Sequence, residues 1–162
     1  MIRVAILTAS DKGSRGERED QSAAVIREMV AGMGEVVAYA VVADEQPLLA
    51  AKMREFADED GVDLILTTGG TGFSSRDVTP EATREVIERE VPGLPEAMRA
   101  AGLQATPQAM LSRAIAGIRG RTLIVNLPGS PKGVRENLAA ILPALPHGLA
   151  ILKGEAGECG RP

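Results

Sequence analysis

A chain of 162 residues, 44% hydrophobic and 25% charged, has the size and make-up of one compact domain with a core of its own. Its formal charge is −4, its basic and acidic residues are interspersed, and only 2% are aromatic with no Trp, which excludes the basic face or stacking platform of a nucleic-acid binder. The lone Cys159 excludes an internal disulfide framework or a cysteine metal site, and the apolar start MIRVAILTAS is too short to span a membrane and lacks a leader cleavage site, so the sequence reads as a cytoplasmic protein.

Taken in chain order, IRVAILT predicts a buried strand that ends in the polar loop ASDKGSRGERED. A helix follows, capped by Asp20, with Val25, Ile26, Met29, Val30 and Met33 at helical spacing and Gly34 as its stop. VVAYAVV predicts a second strand, and ADEQPLLAAKMREFADED a helix with Leu49, Met53 and Phe56 facing inward. VDLILTT predicts a third strand, which runs straight into TTGGTG. Thr79 as N-cap and Pro80 at the first helical position predict a helix over TPEATREVIERE, and LPEAMRAAGLQ predicts the next. SRAIAGI, the turn RGR and TLIVNLP predict a hairpin, which places one antiparallel strand in an otherwise parallel sheet. Ser130 ahead of Pro131 predicts another capped helix, and LPALPHGLAILKG closes the fold. Strand and helix alternate without repeat, low-complexity segment or linker. The expectation is a single domain over residues 1–162, a parallel sheet covered on both faces, with ligands at the carboxyl ends of its strands.

The loops at that edge carry the chemistry. Gly69, Gly70 and Gly72, interleaved with Thr68 and Thr71, let the backbone take positive φ and turn successive N–H groups into one concavity, as proteins do to hold phosphate. A tight strand-to-helix turn would use glycines in the same way. No Gly-Lys-Ser/Thr follows, which excludes a Walker loop, and the missing third glycine excludes a Rossmann fingerprint. In NLPGSPKG a strand ends at Asn126, Pro128 and Gly129 turn the chain, a helix starts after Ser130, and Lys132 adds a point charge to its first turn. That makes a second anion seat, with a plain Pro-Gly turn as the alternative. Asp44 and Asp77 both stand where a strand gives way to a helix, on one rim of the sheet. Asp44 could instead cap the helix of ADEQP, whereas at Asp77 the cap role falls to Thr79. Two phosphate seats and two rim carboxylates suit Mg²⁺, which takes one or two carboxylates together with substrate phosphates and water. Asp11, Lys12 and Arg15 either reach this rim or stay in a solvated loop. His147 reads as a packed or solvated helix residue and Cys159 as an idle thiol.

TTGGTG, RDVTPEAT, PGLPEAMR, LSRAIAGIRG and NLPGSPK, in this order and at this spacing, resemble the MogA/MoaB family, which includes molybdopterin adenylyltransferases and the related domains of gephyrin and its plant counterpart. The resemblance runs from VAILTASD through LKGEAGE. It implies a three-layer α/β/α fold with a mostly parallel mixed sheet, a homotrimer, and Mg²⁺-dependent transfer of AMP from ATP to the terminal phosphate of molybdopterin. The resemblance also implies handover of the product to a molybdate-inserting protein. On this resemblance Asp44 and Asp77 are the catalytic, metal-holding aspartates, and Thr68, Gly69, Gly70, Thr71, Gly72, Ser112, Asn126, Pro128, Gly129, Ser130 and Lys132 bind the substrates. The short stretch after NLPGSPK resembles the MoaB branch, so a pterin-binding or scaffold protein without turnover is the alternative. The chemistry agrees with the residues: a phosphate monoester is already anionic at neutral pH, so its attack on ATP needs positioning and charge neutralisation rather than a strong base.

Overall fold

A computed structural model describes residues 1–155, and in it one sheet separates two apolar cores. The strands are β1 (Ile2–Ala9), β2 (Gly34–Val42), β3 (Leu64–Thr68), β4 (Arg89–Glu90), β5 (Ala116–Arg119) and β6 (Thr122–Leu127), in the spatial order β2-β1-β3-β6-β5-β4. The helices are α1 (Asp11–Ser14), α2 (Gln21–Val30), α3 (Gln46–Arg54), α4 (Thr79–Val86), α5 (Gly93–Leu103), α6 (Pro131–Ile141) and α7 (Leu145–Leu152). A π-helical turn, Glu55–Glu59, prolongs α3, and a 3₁₀ turn, Pro107–Leu111, follows α5.

The two-residue period of a strand explains the layers. Val4, Ile6, Leu64, Leu66, Leu123 and Val125 point to one face, where α2, α5, α6 and α7 bring Ile26, Met98, Leu138 and Leu149. Ala5, Leu7, Ile65 and Ile124 point to the other, against Leu49 and Met53 of α3, Phe56 behind it, and Ala82 and Val86 of α4. With both faces covered, β3 and β6 are buried at every residue, which is why they read as continuous apolar runs. Each such Leu or Ile contributes about 1.5–3 kcal/mol of burial.

β1 pairs in parallel with β2 and β3, and β3 with β6, while β5 runs against both β6 and β4. The expected hairpin and its single reversed strand are therefore present. Asp20 and Ser130 cap their helices as expected, accepting from the N–H groups of Ala23 and Gly133.

Three expectations are corrected. α2 ends at Val30 before Met33, and Gly34 is the first residue of β2; a Cβ there would lie 2.3 Å from the Ile2 carbonyl oxygen, so strand packing demands this glycine. The helix expected through Glu90 stops at Val86, because Arg89 and Glu90 pair with β5. Thr79 is the first residue of α4 and Val78 its cap, because the Thr79 N–H donates to the Gly70 carbonyl (3.2 Å) and binds the helix start to the glycine loop. Cys159 lies outside the described residues. No described helix is long and apolar enough to cross a membrane.

Candidate active site

The carboxyl ends of β1, β2, β3 and β6 open on a cavity of about 900 Å³. Two backbone loops form its floor. Gly69 has φ +94, its N–H donates to the Leu127 carbonyl (3.2 Å), and a Cβ on it would lie 2.5 Å from the Ala9 carbonyl oxygen. A Cβ on Gly129 would lie 3.4 Å from the Gly69 Cα, so the two loops approach backbone to backbone. The Thr68 hydroxyl donates to the Pro128 carbonyl (2.7 Å) and the Ser22 hydroxyl to the Gly129 carbonyl (2.7 Å). The two loops read from the sequence as anion seats thus border one cavity. Gly70 also has positive φ, +71, but Gly72 does not; it is glycine because a Cβ would meet Asp77 Oδ2 at 2.9 Å.

The carboxylates come from three loops. Asp44 and Asp11 clasp each other: Asp44 Oδ2 accepts from the Asp11 N–H (3.0 Å), and the Asp44 N–H donates to Asp11 Oδ1 (3.0 Å). Asp44 therefore does not cap α3, whose cap is Glu45 without a side-chain bond. Arg76 holds the Asp11 carboxylate in a bidentate pair (3.0 and 2.9 Å), so the guanidinium downstream of the glycines fastens the first exit loop. That pair keeps the Asp11 carboxyl below its ordinary value. Asp44 is pushed the other way: burial raises its carboxyl, the Asp11 hydrogen bond opposes, and the charges of Asp11 and Asp77 raise it further. Asp77 Oδ2 accepts from the Ser74 N–H (2.9 Å), and this closes the strap between the glycines and α4. Asp44 and Asp77 both line the cavity, and each keeps Oδ1 without a hydrogen bond among the described residues. No group of three or more His, Cys, Asp or Glu suited to a metal gathers among the described residues. Two carboxylates that line one cavity, each with an oxygen left unengaged among the described residues, still fit a hard cation that takes its other ligands from substrate and water.

Of the expected binding residues, Thr68, Gly69, Gly70, Gly129 and Ser130 line the cavity, together with Asp11 and Lys12. Thr71, Gly72, Ser112, Asn126, Pro128 and Lys132 do not. Asn126 is fully buried, with Nδ2 donating to Thr67 Oγ1 (3.1 Å) and Thr83 Oγ1 (2.9 Å) and Oδ1 accepting from the Ile115 N–H (3.2 Å), so its polar atoms join β6 to β3 and α4. The Ser112 hydroxyl accepts from the Ala114 N–H, and Lys132 is exposed on α6. Arg15 turns to Glu17, and His147 lies exposed on α7.

Three side chains escaped the sequence reading. Arg113 donates to the Gly72 and Asp77 carbonyls (both 2.7 Å) and pairs with Glu81 (2.7 Å), stapling the glycine loop to α4. Asp20, legible only as a cap, also accepts from Thr8 Oγ1 (2.6 Å) and the Tyr39 hydroxyl (2.5 Å) at the far wall of the cavity. Burial and then the Asp20 carboxylate push the Tyr39 phenol up to about 12. A lone Tyr in the middle of the predicted strand VVAYAVV was the one available signal.

A mostly parallel sheet with two glycine-shaped loops and a cavity at its carboxyl edge defines an α/β protein with a ligand-sized site at its strand ends. The family described as probable molybdopterin binding domain matches residues 5–147. Over 159 residues the chain is 43% identical to the molybdopterin adenylyltransferase of Helicobacter pylori strain J99, covering 94% of this chain and 89% of that one. Over 143 residues it is 38% identical to the molybdopterin adenylyltransferase of Escherichia coli K12, covering 86% and 73%. The crystal structure of the molybdopterin biosynthesis enzyme MoaB from Thermus thermophilus superposes with a TM-score of 0.90 at 59% identity, over 98% of this chain and 100% of that one. The chain belongs to the MogA/MoaB family.

Proposed function

We propose that this protein is a molybdopterin adenylyltransferase, which transfers AMP from ATP to the terminal phosphate of molybdopterin with release of pyrophosphate. The observation that carries the reading is the convergence of two glycine-shaped loops and two rim aspartates on one cavity. Gly69, Gly70 and Gly129 let phosphate groups approach the main chain, and the Ser130-capped end of α6 adds a favourable dipole. Lys12 and Arg18, which also line the cavity, supply positive charge. Asp44 and Asp77 are the residues that would hold Mg²⁺, which when bound would supply neutralisation of charge on the reacting phosphates. The attacking phosphate needs no base, which agrees with a lining that, among the described residues, contains neither His nor Cys. Thr71, Gly72 and Pro128 belong to the same loops and shape them, and Lys132 contributes its charge from outside the lining. Assembly as a homotrimer, a place in the cytoplasm, and handover of the adenylylated pterin to a molybdate-inserting protein belong to the same reading.

The test is an assay of the purified protein with ATP, Mg²⁺ and molybdopterin, scored for adenylylated pterin. Molybdopterin binding without product would assign the protein to the scaffold class. Release of free AMP in the absence of any pterin would make it a nucleotide hydrolase.

A further inference from the structure

We infer that Arg113 is a positioning residue for Asp77: from outside the cavity it holds the strap of residues 72–77 at both ends and so sets where the Asp77 carboxylate stands. Its bearing on the cation rests on the proposed adenylyltransferase reading. Packing does not hold this strap. Phe73, Ser74, Ser75 and Arg76 are all exposed, Phe73 to 71%, so no apolar side chain of the strap is buried. The Asp77 N–H donates to the Ser74 carbonyl (3.0 Å) and the Ser74 N–H to Asp77 Oδ2 (2.9 Å). These bonds give the strap a shape without fastening it to the rest of the fold.

Arg113 supplies the fastening. Among the described residues it is the one side chain outside the strap that donates to it, from Nε to the Gly72 carbonyl and from Nη2 to the Asp77 carbonyl, both at 2.7 Å. Its own N–H donates to the Thr71 carbonyl (2.9 Å), just ahead of the strap. The Asp77 carboxylate lies against the first of the two anchored residues, since a Cβ on Gly72 would meet Oδ2 at 2.9 Å. A rigid guanidinium that bonds both carbonyls sets their separation, which an ammonium on a flexible stem does not. Glu81 accepts from the remaining edge, from Nη1 at 2.7 Å and Nη2 at 3.1 Å, and answers the charge of the arginine. Arg113 therefore grips the Asp77 backbone and leaves the carboxylate to the cavity, which Asp77 lines and Arg113 does not. An arginine paired with that carboxylate would instead occupy oxygens that a cation needs. Partners outside the ligand shell orient metal-holding carboxylates in this way.

The test uses the whole protein and two variants. Arg113→Lys keeps the charge and the stem but loses the fork, and Glu81→Gln, at a half-exposed position, loosens the same guanidinium without touching the interior. In calorimetric ATP titrations at graded Mg²⁺, Arg113→Lys should need about threefold to tenfold more Mg²⁺ for half-saturation, and Glu81→Gln about twofold to threefold more. Both shifts should vanish in an Asp77→Asn background, because an arginine that acts through Asp77 then has nothing left to position; a general structural effect would persist there. In ligand-free crystals of either variant the Asp77 carboxylate should have left its wild-type place. Wild-type Mg²⁺ dependence in the variants overturns the inference, as does a shift of the same size in the Asp77→Asn background. Should Arg113→Lys fail to fold, Glu81→Gln decides by the same two criteria. Should the wild type bind no ATP, the proposed function falls, while the place of the Asp77 carboxylate in the crystals still decides the inference.

Discussion

Replacing Asp44 by Asn removes one charge and little else, and stability and activity should then move in opposite directions. Asn keeps an oxygen to accept the Asp11 N–H bond that Asp44 Oδ2 accepts at 3.0 Å. Burial first, and then the charges of Asp11 and Asp77, raise the Asp44 carboxyl above its ordinary 3.8, against the lowering effect of the Asp11 bond. A carboxyl raised by folding is one whose ionisation costs folding free energy. Its favourable contribution is complete below the unfolded value of 3.8 and is lost as the pH rises through the folded one. The Asn variant lacks that loss. At neutral pH it should melt at or slightly above the wild-type temperature, and the gap should close in acid. For a chain of this size 1 kcal/mol corresponds to about 2–4 °C, and solvent screening of a part-exposed group keeps the rise to roughly 0–3 °C.

Activity should fall. Partners outside a metal's ligand shell cost about 10–100-fold when removed, and a carboxylate that holds the cation should cost at least as much. Part of the loss should return at raised Mg²⁺, because the remaining ligands come from phosphates and water. Melting across the acid range and adenylylation at two Mg²⁺ concentrations together decide the case. A stable, fully active Asp44→Asn protein would reduce Asp44 to a fastener of Asp11. A variant several degrees less stable at neutral pH would show that the charge strengthens the Asp11 bond by more than burial and repulsion cost.

Asp77→Asn should keep the Ser74 N–H bond (2.9 Å) and the melting temperature while losing most turnover, and unchanged turnover with persisting Mg²⁺ dependence would remove Asp77 from the cation. Gly69→Ala places a Cβ at φ +94 and 2.5 Å from the Ala9 carbonyl oxygen. It should cost about 1–3 kcal/mol, or roughly 3–10 °C, and a wild-type melt would show that the loop relaxes freely. Lys132→Ala should raise KM for the phosphorylated substrate about twofold to fivefold with kcat nearly unchanged, as befits an exposed point charge; an unchanged KM would leave NLPGSPK a structural turn.

The sequence revealed what short-range physics decides. The caps at Asp20 and Ser130, the apolar runs of β1, β3 and β6 and the hairpin through RGR each rest on residues a few positions apart, and each is present. Misreadings arose where a distant partner overrides a local preference. Thr79 looks like a cap until Gly70 takes its N–H, and the helix after it seems to continue until β5 claims Arg89 and Glu90. Within the site, the two loops and two rim aspartates were legible because strand ends bring them together. Arg76 with Asp11, Arg113 with the Gly72 carbonyl, and Asp20 with Tyr39 lie 65, 41 and 19 residues apart, and no periodicity announces such pairs.

The same long-range bonds explain how a site made largely of loops can be rigid. Arg76 fixes the first exit loop, Arg113 the glycine strap, and Ser22 the turn at Gly129, so the walls are held before any ligand arrives. What these walls hold in place is unfavourable by itself: two positive-φ glycines, a buried hydroxyl without a partner, and a carboxylate raised by burial beside two like charges. Local consistency is broken just where phosphate and cation would restore it. Substitutions that relieve these conflicts should therefore leave the empty protein as stable or more so and weaken its grip on ligand. Asp44→Asn does so without altering side-chain shape, and this pairing of retained melting with lost affinity separates the site from the scaffold around it.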